Sequence, residues 1–366
     1  TKSNFSGVSM NENKTRASFD QIGFVYSNKI GNNTSLRFVN FGFNYHKSKN
    51  FNRLFSMGGA LDNLSQSFQL AQEMERYGLT ESEFNDILDV KNPYTKYWNQ
   101  LPVLGVMGVR TGVVDWVNDS EKNIHAPWGW NGFNNNFFSK ETGGISQYDF
   151  NVSFNIEDRV YLGATLGVYD VNYDRYTSYT ENLNDDKGAD NGGYTLDNYY
   201  RLEGTGMDLK LGVIVRPIES SPFRLGFAVH TPTWYDLRES YNATLSSDIL
   251  AYEKPYIQTL SDFLVTPEYD YLTYDYNLTT PWKFNVSAGT TFAGAVAVGA
   301  EYEYQDYSSS KLKDVDGYEL GDQPSVENYL KGVHTFRIGM ETRIIPEFSI
   351  RAGYNYSSAA FSKDAY

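Results

Sequence analysis

The chain has no cysteine. That removes disulfide frameworks, thiol nucleophiles and thiolate metal sites at once. Its four histidines are His46, His125, His230 and His334, and no two stand at a His-x-x-x-His spacing. Gly-x-Ser-x-Gly and phosphate-cradling glycine loops are missing as well. Asp314-Val315-Asp316-Gly317 lacks the remaining ligands of a calcium loop and reads as a polar turn. No catalytic residue, metal or cofactor is expected. Lys and Arg number 31 against 45 Asp and Glu, a net charge of −14, which opposes binding to nucleic acid phosphates. No apolar run approaches the ~20 residues of a membrane-crossing helix. Thr1-Lys2-Ser3-Asn4 carries no signal-peptide core, so the chain is read as mature or as starting inside a longer protein.

What is abundant is aromatic and glycine. There are 30 Tyr, 23 Phe and 31 Gly. Many fall in segments that alternate strictly, such as Phe150, Val152, Phe154 and Ile156 with Asn151, Ser153 and Asn155 between. Val160 to Val168, Leu209 to Val215, Phe223 to Val229 and Trp282 to Ala288 repeat the pattern, as do Val296 to Tyr304, Phe336 to Met340 and Phe348 to Tyr356. Period-two patterning gives each strand one apolar and one polar or small face. Ten strands are expected, over 18–27, 35–45, 147–156, 159–174, 204–216, 222–240, 274–292, 294–307, 332–344 and 347–358. Short turns alternate with long polar connections at about 46–146, 172–204, 236–276 and 307–331, the rhythm of short periplasmic turns and long extracellular loops.

Arg or Lys facing lipid near mid-membrane costs roughly 2–4 kcal/mol. Lys210, Arg224, Lys283, Glu301, Glu303, Arg337, Glu341 and Arg351 all lie opposite the apolar rows, and are assigned to a lumen. The fold expected is therefore all-β, a transmembrane antiparallel β-barrel, in the outer membrane of a Gram-negative bacterium. A soluble sandwich is the competing reading; it puts the apolar rows in a core and those charges in water. Two short helices are expected in the long 46–146 loop, near 61–77 and 81–89, the second opened by a Thr80/Glu83 capping box. Trp116, Trp128, Trp130, Phe133, Phe137 and Phe138 cluster in that loop and are candidates for binding an apolar ligand. Packing of the loop onto itself is the alternative.

Four stretches together resemble the FadL-type outer-membrane transporters of hydrophobic compounds. They are Thr280-Pro281-Trp282-Lys283-Phe284 through Gly289, Ala297 through Glu301-Tyr302-Glu303-Tyr304 to Ser308, His334 through Glu341 closing into Phe348 to Tyr356, and Arg224 through Thr231-Pro232 to Asp236. The resemblance runs from about residue 145 onward. It implies fourteen strands and an N-terminal hatch. This chain departs from both, which leads to the expectation that the hatch and some strands are absent from the sequence; a ten-stranded barrel is the rival. It further implies passive uptake of fatty acids or aromatic hydrocarbons, captured in extracellular loops and released sideways through a kinked strand. Asn40 and Gly42 are candidates for that kink. Outer-membrane lipid and a hydrophobic small molecule are the expected partners, with any partner protein unknown. The alternative function is a structural or assembly partner in an outer-membrane export or surface complex.

Overall fold

The structure is a computed structural model. It describes all residues except 1, 6–7, 13–17, 33, 63, 98–99, 120–123, 186, 251–254, 261–264, 267–268, 271, 346 and 366. Its main element is one antiparallel sheet in which ten strand positions follow one another in chain order. The first position is β1 (Gln21–Lys29). The second is β2 (Leu36–Asn50) continued by β3 (Arg53–Ala60). Next come β4 (Asn131–Ile156), β5 (Val160–Asn184) and β6 (Asp190–Val215). The sixth position is split into β7 (Arg224–His230) and β8 (Trp234–Ser247), and the seventh into β9 (Thr273–Thr279) and β10 (Lys283–Phe292). The eighth is split into β11 (Val296–Asp306) and β12 (Lys311–Asp314), followed by β13 (Gly332–Ile345) and β14 (Phe348–Ser357). All ten expected strands are found.

Register fixes the two faces. Val39, Phe154, Leu162, Val213, Phe227, Val286, Tyr302, Phe336 and Tyr356 are successive partners across nine positions. One residue along, Asn40, Ser153, Gly163, Gly212, Ala228, Asn285, Glu303, Thr335 and Ser357 form the matching row on the other face. A slip of one residue in any pair would mix them. The apolar row is not a sandwich core: Leu166 is 46%, Val286 45% and Ile338 55% exposed. Along one strand Asp208 is 5% exposed while its neighbour Met207 is 55%. Among the described residues no helix packs closely on that stretch, so the asymmetry comes from curvature, with the polar face concave.

The long connections differ from expectation. Residues 172–184 and 190–204 are one hairpin extending β5 and β6, and β8 runs on to Ser247. Residues 46–146 supply β3 and the first half of β4. These extensions carry Tyr, Asn, Thr and Ser on both faces, so no hydrophobic period marks them. Four helices cap the inner face: α1 (Gln66–Arg76), α2 (Glu81–Asp89), α3 (Pro93–Lys96) and α4 (Val103–Arg110). The Thr80/Glu83 capping box opens α2 as expected. Helix α4, Val-Leu-Gly-Val-Met-Gly-Val-Arg, shows no amphipathic stripe because it is buried nearly all round. Leu70, Met74, Ile87, Val106 and Met107 join Leu183, Leu196 and Leu245 of the extended strands in one core.

Candidate functional site

Below the cap, the concave face of β5, β6, β8 and β9 is lined with tyrosines. Tyr169 and Tyr173 on β5, Tyr200 on β6, Tyr235 and Tyr241 on β8 and Tyr276 on β9 share this face by register, with Val171, Leu202, Leu237 and Leu278 between them. The rings of Tyr169 and Tyr235 meet at 5.7 Å, and those of Tyr173 and Tyr200 at 6.1 Å. Gly206 lies between the first pair. A Cβ there would come within 2.4 Å of the Tyr235 ring, so the pair needs glycine at that point.

Two of the hydroxyls higher in the wall are bound within it. Tyr200 donates to Glu239 Oε2 at 2.7 Å and Tyr241 to Asn198 Oδ1 at 2.7 Å. Burial, then the bond to Glu239, pushes Tyr200 well above the usual phenol range. Burial pushes Tyr241 up to about 12, so both stay neutral. At these positions the wall offers ring faces rather than free polar ends. The Arg175 guanidinium lies 5.4 Å from the Tyr200 ring centre.

The floor is ionic. Lys210 Nζ donates to Asp149 Oδ1 at 3.0 Å and lies 3.5 Å from Asp208 Oδ1. Gln147 Nε2 donates to Asp149 at 2.8 Å, and the Tyr169 hydroxyl to Asp208 Oδ2 at 2.6 Å. Beneath lies a cavity of about 450 Å³ lined by Ser153, Thr165, Gly212, His230, Asn285 and Ser287. Its lining also takes in Tyr161, Lys210, Leu211, Val213, Ile214 and Phe227 and is more apolar than polar. The roof is pinned by Glu181, which is fully buried. Its Oε2 accepts from the Tyr179 and Tyr194 hydroxyls at 2.6 and 2.7 Å and from the Gln66 N–H of α1 at 3.1 Å.

All eight residues assigned to the lumen lie on the concave face, and most are paired. Arg337 binds Glu301 and Glu303, Arg351 donates to Glu341 at 2.7 Å, Lys283 is 3.8 Å from Glu303, and Arg224 lies 5.9 Å from the Tyr161 ring. The loop aromatics are not brought together. Trp116 and Trp130 pack against the cap core, and Trp130 Nε1 donates to Gly112 O at 2.8 Å. Trp128 lies edge-on to Phe68, Phe133 is exposed, and Phe137 and Phe138 alternate to opposite faces of β4. Asn40 and Gly42 interrupt nothing: the ladder between β2 and β4 is regular from Phe38 to Lys47, with shifts only at Leu36/Phe38 and Lys47/Lys49. Residues 39, 41 and 43 face one way and 40, 42 and 44 the other, so the apparent break is ordinary alternation. The tyrosine wall was missed in the sequence because Tyr200 and Tyr241 fall in stretches read as loops and because no single strand shows that Tyr169, Tyr173, Tyr235 and Tyr276 come together.

No family model matches the chain, and no curated protein matches it. Among solved structures, it is similar to the toluene transporter TodX of Pseudomonas putida at 12% identity and a TM-score of 0.40, over 92% of this chain and 67% of that one. It is also similar to the monoaromatic hydrocarbon channel CymD at 12% identity and a TM-score of 0.33, over 75% of this chain and 85% of that one. Likenesses this distant carry no argument about ligand or family.

Proposed function

We propose that this chain is the wall of an outer-membrane channel for passive uptake of hydrophobic small molecules. The observation that carries the reading is a tyrosine wall, with helices above it and ion pairs below it, in a sheet whose convex face is apolar from the level of Trp234 and Trp282 downward. Such a face is stable where lipid covers it, and the outer membrane of a Gram-negative cell is where barrel walls of this kind reside. Ring faces with leucines and a valine between them suit apolar or aromatic cargo. Residues 46–146 then lie on the extracellular side, where Trp128 and Phe133 are placed to meet cargo first. The cargo leaves sideways into lipid, where an apolar molecule is more stable than in water.

The test is binding and uptake of a small aromatic hydrocarbon by the protein in lipid vesicles. Toluene, the cargo named for TodX, is a convenient first probe. Replacing Tyr200 and Tyr235 together by Ala should weaken binding about tenfold with the barrel still assembled, each ring contact being worth roughly 0.5–1.5 kcal/mol. Saturable binding absent from the parent protein would turn the assignment toward a structural role in an assembly.

A further inference from the structure

We infer that cargo leaves the tyrosine wall through a window between the seventh and eighth strand positions, under the turn formed by Tyr307–Ser309. The inference rests on the uptake reading and adds where the exit lies. Three adjacent positions are interrupted in one row of the sheet: β7 and β8 at Thr231-Pro232-Thr233, β9 and β10 at Thr280-Pro281-Trp282, and β11 and β12 at 307–310. Proline has no N–H to give a ladder, so two of the breaks are written into the backbone chemistry.

The first two breaks are closed by side chains and isolated backbone bonds. The Thr231 Oγ1 accepts from Leu209 N–H at 3.0 Å, and Thr280 Oγ1 from Thr233 N–H at 2.7 Å. Thr231 N–H and Thr280 N–H complete the pairs on Leu209 O and Thr233 O at 2.9 and 3.0 Å. The third is different. Ladder pairing stops at Thr279↔Lys311 and resumes at Lys283↔Gln305. Between these pairs, residues 280–282 face 306–310, and among the described residues no backbone hydrogen bond joins them.

This window adjoins the tyrosine wall. Inside it are Tyr235 and Leu278, register partners on the concave face. Outside it are Trp234 and Trp282, each 48% exposed on the convex face. An apolar molecule therefore meets rings on both sides of the gap. The cover is the turn itself with α5 (Gln323–Tyr329) packed against it. Gln323 is 2% exposed; its Nε2 donates to Ser310 O at 3.1 Å and its Oε1 accepts from Leu312 N–H at 2.8 Å. It ties α5 to the far side of the window.

The absence of native cysteine makes a clean test. Ser309, exposed in the turn, is changed to Cys and reacted with a bulky maleimide. Thr205→Cys, on the exposed convex face of unbroken β6, is the labelled control. Transfer of N-phenyl-1-naphthylamine into vesicles with a lipopolysaccharide outer leaflet is followed by fluorescence. Labelled Ser309→Cys should slow transfer about tenfold, while unlabelled Ser309→Cys and labelled Thr205→Cys keep the parent rate. If unlabelled Ser309→Cys assembles poorly, Ser308→Cys replaces it. Parent-like transfer by the labelled turn variant overturns the window and leaves uptake standing. A parent protein no faster than protein-free vesicles overturns the uptake reading, and the window with it.

Discussion

At Gly206 a missing side chain lets two rings meet. A methyl group there must push the Tyr235 ring away, which by overpacking should cost about 1–3 kcal/mol. Gly206→Ala should therefore lower stability in denaturant, and Tyr235→Ala in the same chain should relieve much of the loss. Additive effects in that double-mutant cycle would contradict the contact. Charge behaves as locally. Bonds from Lys96 and then Tyr97 hold the Asp86 carboxyl below its ordinary 3.8. Burial, then the bond to Asp86, pushes Tyr97 up to about 12 from 10.0. A lowered carboxyl contributes stability above its ordinary value and loses it as pH falls through the folded value. A raised phenol contributes below its ordinary value and loses it as pH climbs toward the folded value. The corner between α2 and α3 should thus loosen at both acid and alkaline extremes. Asp86→Asn should weaken the cap at neutral pH, and the difference from the parent, read by protease protection of residues 81–97, should shrink as the pH falls below the ordinary 3.8. A difference unchanged at acid pH would contradict this assignment.

Among the elements, the cap hangs on one carboxylate. Glu181→Ala strands two tyrosine hydroxyls and an N–H at the start of α1, at roughly 1–3 kcal/mol for each stranded group. Protease cutting within 66–110 should accelerate while the sheet stays intact, measured by peptide mapping; equal cutting rates would remove Glu181 from that role. How legible each element was in the sequence follows from its periodicity. Strands with one apolar face, such as β10 and β11, were evident from Phe284-Asn285-Val286 and Val296-Ala297-Val298 alone. Helix α2 was evident because Thr80 and Glu83 announce it. Helix α4 and the upper halves of β5, β6 and β8 were not. The helix is apolar all round, and the strands have one face set by helices that arrive from about a hundred residues earlier in the chain. Pairing between Tyr169, Gly206 and Tyr235 depends on register between three strands, which no single segment encodes.

For the molecule as a whole, the grouping of the eight charged residues on one face was legible because charge placement is decided by energy per residue. The ligand surface was not, because it depends on which distant strands become neighbours. The central claim is that the convex face meets lipid and the concave face does not. Between the break at Trp282 and the turn after Phe292, β10 has ten residues, the length a tilted strand needs to cross a bilayer, about 9–11. Single cysteines placed in turn at 283–290 and spin-labelled in vesicles test the claim most directly. Oxygen accessibility, which reports lipid, should peak at Phe284, Val286 and Ala288, and fall at Lys283, Asn285 and Ser287, where a water-soluble relaxation agent should take over. Water-like accessibility at both sets, or lipid-like accessibility at Asn285 and Ser287, would contradict a membrane-spanning wall.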